Sequence, residues 1–265
     1  MSGLQLVVLA LVQGITEFLP ISSSGHLILV PVLAGWPDQG LGLDVAVHVG
    51  TLGAVVVYFR RDVWRLLVGA ARVVARRPDA RTRLALQIAV AAMPVMIAGA
   101  ALSSLGAGAL RTPAVIGWTM LGFGVVLYVI DRARPTVREI GHMTFSDALL
   151  IGLAQVLALV PGTSRSGITM TAARALGFTR AEAARFSMLL SIPVIAAAGA
   201  DRGFELYQTA DPQLVSGVLA AAAVAFGAAL AAIGVLMRWL ERASFTPFVV
   251  YRVALGAGLL VWTYW

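Results

Sequence analysis

Long apolar runs alternate with short polar segments along the whole chain. An α-helix needs roughly 20 mainly apolar residues to cross a bilayer. Six runs approach or exceed that length, and the pattern therefore predicts an all-α polytopic membrane protein with six spans. The predicted spans are residues 43–59, 84–105, 113–130, 186–203, 214–237 and 247–265. The first of these is the shortest and is a marginal span.

Two further apolar segments, residues 4–34 and 146–177, are each interrupted by a small polar break. The breaks read PISSSGH at 20–26 and PGTSRSG at 161–167. The apolar stretch on each side of a break is about 10 to 15 residues, which suits a half-spanning helix. Irregular backbone at membrane depth is tolerated only inside protein or beside a water-filled cavity. Each segment therefore predicts a re-entrant broken-helix hairpin with a polar tip.

The two halves of the chain repeat the same order of elements, a hairpin followed by three spans. Repeat one is residues 1–130 and repeat two is residues 146–265, within a single membrane domain, 1–265. A shift of 142 residues superimposes Gln13 on Gln155, and also three residues of the breaks. These three pairs are Ser22 with Ser164, Ser24 with Ser166, and Gly25 with Gly167. Three spans is an odd number, so an internal repeat would have inverted topology.

The distribution of arginine gives the orientation. All 20 basic residues are Arg, and most of them lie in 60–83, 132–138, 174–185 and 238–242. With these segments inside, the positive-inside rule leaves only Arg111 and Arg202 in outer loops. The first hairpin then enters from outside, the second from the cytoplasm, and their tips meet near the midplane. No basic stripe with interleaved aromatic residues is present, so no nucleic-acid partner is expected.

The two tips carry the residues that predict a site. Glu17 and Arg165 are ionised, and each costs about 2.5–3.5 kcal/mol at the centre of a spanning helix, so an uncompensated one is disfavoured. A mutual ion pair is one explanation. The hydroxyls, the planar Arg165 fork and two helix N-termini together favour an oxyanion instead. The candidate substrate-binding residues are Gln13, Ser22, Ser24, Gly25, Gly162, Thr163, Ser164 and Ser166.

Catalytic chemistry is suggested by Glu17, Ser23 and His26. His26 is near enough in sequence to take a proton from Ser23 or from water. Glu17 either binds a divalent cation that bridges phosphate oxygens, or orients His26 and stabilises its charged form. His48 is a further candidate to line the cavity. These parts would suffice for phosphoryl transfer, and they would equally serve to bind and carry a phosphate.

Three motifs resemble those of one known family, the integral-membrane undecaprenyl-diphosphatases or bacitracin-resistance proteins. They are QGITEFLPISSSGH at 13–26, PGTSRSGIT at 161–169 and ARFSMLLSIP at 184–193. The resemblance implies a bacterial inner-membrane enzyme that depends on a divalent cation, Mg²⁺ or Ca²⁺. It would hydrolyse undecaprenyl diphosphate to the monophosphate and inorganic phosphate, recycling the carrier lipid of peptidoglycan.

By the same resemblance, Glu17, Ser23, His26 and Arg165 match the family's catalytic positions. Arg165 would bind phosphate and His26 would assist a nucleophile, for which Ser23 is the candidate. The family's first acidic position is Gln13 here, which leaves Glu17 as the one obvious carboxylate ligand for a metal. The partners implied are the lipid substrate and membrane lipids, and a homodimer stays open.

Three other functions compete with this interpretation. Phosphatidic-acid-phosphatase-type enzymes are excluded, because their motifs need a Lys and a late His, whereas this chain has no Lys and no His after His142. A small-ion channel is disfavoured because no repeated ring of selectivity residues is visible. A transporter or flippase for polyprenyl phosphate fits inverted repeats well. It needs no nucleophile, so Ser23 and His26 favour hydrolysis.

The inverted topology can be tested by cysteine labelling, because the natural chain contains no Cys. Single variants Ala70→Cys, Arg111→Cys and Gln208→Cys would be labelled in intact cells with a membrane-impermeant maleimide. We expect Arg111→Cys and Gln208→Cys to react from outside and Ala70→Cys to react only after permeabilisation. Equal reactivity of Ala70→Cys and Arg111→Cys from one side would contradict the topology.

Overall fold

The computed structural model describes residues 2–37, 40–77, 79–105, 110–209 and 212–265. Regular structure in this part of the chain is helical, apart from one isolated β-bridge between Arg138 and Phe178. The helices are α1 (Gly3–Thr16), α2 (Ser23–Ala34), α3 (Gly40–Tyr58), α4 (Arg60–Val74), α5 (Ala80–Leu105), α6 (Pro113–Ala133), α7 (Phe145–Gln155), α8 (Arg165–Ala175), α9 (Arg180–Thr209), α10 (Pro212–Leu240) and α11 (Thr246–Tyr264). The side chains of Arg81 and Arg202 lie outside the described part.

Five helices are long and apolar enough to cross a membrane, and they confirm five of the six predicted spans. Their spanning parts are Thr82–Leu102, Pro113–Ala133, Arg180–Ala200, Gly217–Leu240 and Thr246–Tyr264. The marginal run at 43–59 forms α3, which qualifies only when it is joined to α4 across a bend of 92°. The chain is therefore a polytopic membrane protein.

The arginine-rich segment that follows the first span is largely a helix. Arg60, Arg61 and Arg65 are exposed along α4, and the side chain of Trp64 is also exposed. This helix is bent by 92° from α3, and its exposed Arg and Trp side chains are of the types that suit a membrane interface. Asp62, a buried residue of α4, accepts two hydrogen bonds from Arg185 of α9.

Each of the two interrupted segments is a pair of short helices around a break. The first pair is α1 and α2, of 14 and 12 residues, and the second is α7 and α8, of 11 residues each. A short 3-10 turn, Val156–Leu159, extends α7 towards its break. These lengths are those that the apolar pattern predicted. Each helix is too short to cross a bilayer alone.

Small residues allow the helices to pack closely across the two halves of the chain. A Cβ at Gly50 of α3 would overlap the backbone of Ala222 in α10. One at Gly152 of α7 would overlap Ala91 of α5. Close backbone approach through Gly and Ala is how helices gain van der Waals contact in lipid, where no hydrophobic force drives them together.

Buried ion pairs tie together the ends of several helices. Asp131 at the end of α6 accepts hydrogen bonds of 2.9 Å from Arg174 of α8 and from Arg180 of α9. The backbone N–H of Phe245 also donates to Asp131. Arg138 similarly pairs with Asp147 at 2.6 Å. Several arginines that the sequence assigned to topology alone therefore also hold the fold.

Loss of the buried ion pair between Arg174 and Asp131 should reduce stability more than loss of an exposed ion pair. Arg174 is fully buried, so Arg174→Met leaves buried carbonyls and a carboxylate short of donors. We expect a loss of about 3–5 kcal/mol of stability, measured by thermal unfolding in detergent. The control is Arg72→Met, which removes an exposed pair with Asp79 and should cost about 0–1 kcal/mol. Similar losses in the two variants would contradict this role for Arg174.

Candidate active site

The two breaks have the same local structure. Ser22 is the N-cap of α2 with φ 73°, and Ser164 is the N-cap of α8 with φ 71°. Their side-chain oxygens accept hydrogen bonds from the backbone N–H groups of Gly25 and Gly167 respectively. A positive φ at a non-glycine residue costs about 1–3 kcal/mol and persists only where the surroundings hold it. Helices α2 and α8 therefore both begin at an N-cap serine with a strained backbone.

Glu17 is the centre of the hydrogen-bond network that joins the tips. Its Oε1 accepts from Arg165 Nη2 at 2.9 Å. Its Oε2 accepts from Ser23 Oγ at 2.6 Å and from Gln13 Nε2 at 2.8 Å. His48 Nε2 lies 3.8 Å from the same oxygen. Glu17 is only 6% exposed, so these donors replace the water that a buried carboxylate would otherwise need.

One guanidinium nitrogen of Arg165 lacks a hydrogen-bond partner among the described residues. Its Nη2 binds Glu17, and its guanidinium lies 6.0 Å from the ring centroid of Phe18. Its Nη1 is buried and has no hydrogen-bond partner in the described part of the chain. An unsatisfied buried donor on a charged group is costly. The arrangement therefore suits an anion that would bind to Nη1.

His26 forms a second, separate unit. Its Nδ1 lies 2.7 Å from the carbonyl oxygen of Ser22, and its Nε2 lies 2.6 Å from Tyr251 Oη. The rings of His26 and Tyr251 stack with centroids 5.6 Å apart and an interplanar angle of 8°. Because a carbonyl only accepts, Nδ1 carries a proton. The structure thus brings Ser23 to Glu17, and His26 to Tyr251.

The other predicted tip residues surround this network. Ser24 is exposed, and its Oγ lies 3.3 Å from that of Ser22. Ser166 Oγ donates to the carbonyl of Leu19, which links the second tip to the first. Thr163 is fully buried, and its Oγ1 has no partner among the described residues. Gln13 Oε1 likewise has no partner among these residues.

Gly162 is required by close packing. Its φ is 87°, and a Cβ there would overlap Thr119 Oγ1 of α6. Thr119 in turn donates to the carbonyl of Pro161 at 2.7 Å. Any side chain at 162 would push the second tip away from α6. Gly25 is less constrained, because a Cβ there would first meet Ile116 at 3.3 Å.

Arg252, which is fully buried in α11, is a residue of the site that the sequence pattern did not predict. Among the described residues its guanidinium donates only to backbone carbonyls, from both tips and from α6, and thereby holds the two breaks together. The acceptors are Pro20, Thr119, Met120, Gly162 and Thr163. An Arg inside an apolar run is itself a signal of function or structure. That signal was present in the predicted span 247–265.

Tyr251 was also missed, and no sequence signal singles it out. An aromatic residue within a span is ordinary. Only the packing of α11 against α6 and the first tip brings its hydroxyl to His26.

The tips offer one carboxylate, Glu17, as a ligand for a metal ion. Within the described part of the chain no group of three or more His, Asp or Glu side chains converges on one point. Both oxygens of Glu17 already accept hydrogen bonds from protein donors. Magnesium and calcium prefer several oxygen ligands, and Glu17 alone does not supply them.

The chain matches a family model described as bacitracin resistance protein BacA over residues 6–258. It is 54% identical to an undecaprenyl-diphosphatase of Ruegeria pomeroyi, over 98% of both chains. It is 52% identical to proteins of the same name from Roseobacter denitrificans and Dinoroseobacter shibae, over the full length of each.

The five carbonyls that accept hydrogen bonds from Arg252 predict that this residue is structural. Arg252→Leu removes all five hydrogen bonds from the guanidinium to these carbonyls, so we expect a loss of about 3 kcal/mol or more in stability. Thermal unfolding in detergent measures it. Arg238→Leu, at an exposed position near the end of α10, is the matched control and should unfold like the natural protein. An Arg252→Leu protein of unchanged stability would disprove the structural role.

Proposed function

The chain belongs to the bacitracin resistance protein BacA family, and we propose that it hydrolyses undecaprenyl diphosphate to undecaprenyl phosphate and inorganic phosphate. One observation carries this conclusion at the level of residues. The Ser23 hydroxyl lies 2.6 Å from Glu17, which is paired with Arg165 of the opposite tip. A potential nucleophile, a proton acceptor and a phosphate-binding group are thus in direct contact.

In this proposal Ser23 is the nucleophile and Glu17 accepts its proton. The Ser23 oxygen bonds to the terminal phosphorus as the bond from that phosphorus to the bridging oxygen breaks. The lipid monophosphate leaves, and water then hydrolyses the phosphoserine while Glu17 returns its proton to Ser23. His26 is the remaining catalytic residue.

Arg165 links substrate binding to this step. In the free protein it shares its charge with Glu17, and a carboxylate paired with a guanidinium is a weak base. A phosphate that binds Nη1 and Nη2 in the bidentate manner typical of Arg draws the guanidinium away from Glu17. The carboxylate then becomes a stronger base when substrate is present. The exposed Ser24 hydroxyl, with N–H groups of the first turns, supplies further donors to the phosphates.

We propose that residues 1–130 and 146–265 are two inverted-topology repeats whose hairpins are re-entrant. The shared geometry of the two N-cap serines supports this. The packing does so too, since α1 packs against α10 of the other half while its counterpart α7 packs against α5. The pairs α3–α9 and α6–α11 each join equivalent helices, as a pseudo-two-fold axis requires.

The location proposed for the protein is the bacterial inner membrane, with the site serving lipid substrate from the outer leaflet. A divalent cation is proposed to accompany the diphosphate, whose own oxygens are good ligands for Mg²⁺ or Ca²⁺. The protein side chains at the tips contribute little to holding it. Dependence on the cation would then be a property of the substrate complex.

The function is tested by phosphate release from undecaprenyl diphosphate by the purified protein. We expect turnover by the natural protein, a loss of at least about 10³-fold for Ser23→Ala, and of about 10²-fold or more for Arg165→Ala and His26→Ala. A chelator should abolish turnover, and added cation should restore it. The controls His142→Ala and Arg111→Ala replace the same residue types away from the tips and should retain full activity.

Two outcomes would overturn the proposal. Full activity in Ser23→Ala, Arg165→Ala and His26→Ala would refute the assigned site. Absence of turnover by the natural protein, together with translocation of polyprenyl phosphate in vesicles, would instead identify a carrier.

A further inference from the structure

His26 has only one nitrogen through which it can exchange a proton. Nδ1 is bound to the carbonyl of Ser22, which cannot take or supply a proton. Nε2 faces the hydroxyl of Tyr251 at 2.6 Å. The Ser23 hydroxyl, which the sequence suggested as the partner of His26, donates to Glu17 instead. A proton that leaves or reaches His26 therefore passes through Tyr251.

Tyr251 is the more exposed member of the hydrogen-bonded pair. His26 is only 9% exposed, whereas Tyr251 is 43% exposed. The two rings are stacked almost in parallel, and Oη is within hydrogen-bond distance of Nε2. The next residue, Arg252, is anchored to carbonyls of both tips, which fixes this turn of α11 relative to the site.

We propose that Tyr251 is a further catalytic residue, which carries protons between His26 and the lipid diphosphate. This inference rests on the proposed function. It divides the proton chemistry between two units, Glu17 for the nucleophile and His26 with Tyr251 for the leaving group.

As the bridging P–O bond breaks, its electron pair stays on the bridging oxygen of the departing lipid monophosphate. The Tyr251 hydroxyl gives its proton to that oxygen and takes the Nε2 proton of a doubly protonated His26, which becomes neutral. When water later attacks the phosphoserine, the water proton returns through Tyr251 to His26. Both residues then have their starting protonation.

Tyr251→Phe tests the proposal, because it removes the hydroxyl and keeps the ring that stacks on His26. We expect kcat for undecaprenyl diphosphate to fall about 10²-fold, the usual contribution of one acid–base group, with KM changed less than about threefold. His26→Gln should show a comparable loss. The double variant should be no slower than His26→Gln alone, because both residues act on the same proton.

Tyr128→Phe is the matched control, since Tyr128 is similarly exposed, at 40%, but stacks on Arg132 of its own helix. It should keep natural kinetics, and thermal unfolding should show Tyr251→Phe to be folded. Natural kcat in Tyr251→Phe, a raised KM alone, or losses that multiply in the double variant would each overturn the relay. Failure of the proposed function is a distinct result, since the natural protein would then show no turnover.

Discussion

The ion pair between Glu17 and Arg165 joins the tips of two broken helices that lie far apart in the sequence. An ionised group in a membrane interior is costly without a partner, so Glu17 of one tip and Arg165 of the other stabilise each other. Ser23 and Gln13 complete the shell of donors around the carboxylate. The pair is nevertheless incomplete, because Arg165 Nη1 has no partner among the described residues. The same interaction that holds the halves together thus leaves one donor ready for an anion.

Broken helices expose backbone carbonyls and amides that lipid cannot satisfy. The amides at the two breaks are capped by Ser22 and Ser164, and the carbonyls are satisfied largely by Arg252. This division explains why a buried guanidinium without a carboxylate partner is stable there. Several backbone dipoles converge on it. Arg252 therefore supports the site without itself being aimed at the substrate.

In the proposed mechanism the site combines two proton-transfer units with one phosphate-binding group. Glu17 and Ser23 form the first unit, His26 and Tyr251 the second, and Arg165 binds the phosphate. Because Arg165 contacts Glu17 directly, phosphate binding would change the basicity of the carboxylate. Catalysis by positioning and electrostatics is typical of phosphoryl transfer.

The sequence alone determined the membrane class, five spans, both broken segments and the residues of both tips, because hydrophobic length and polar interruption are local properties of the chain. It also revealed a family resemblance that the comparisons confirm. It did not determine the 92° bend between α3 and α4, or the ion pair of Asp62 with Arg185 of α9. Nor did it reveal the partners of His26, or the roles of Tyr251 and Arg252. Those depend on contacts between residues more than 200 positions apart, which only tertiary packing brings together.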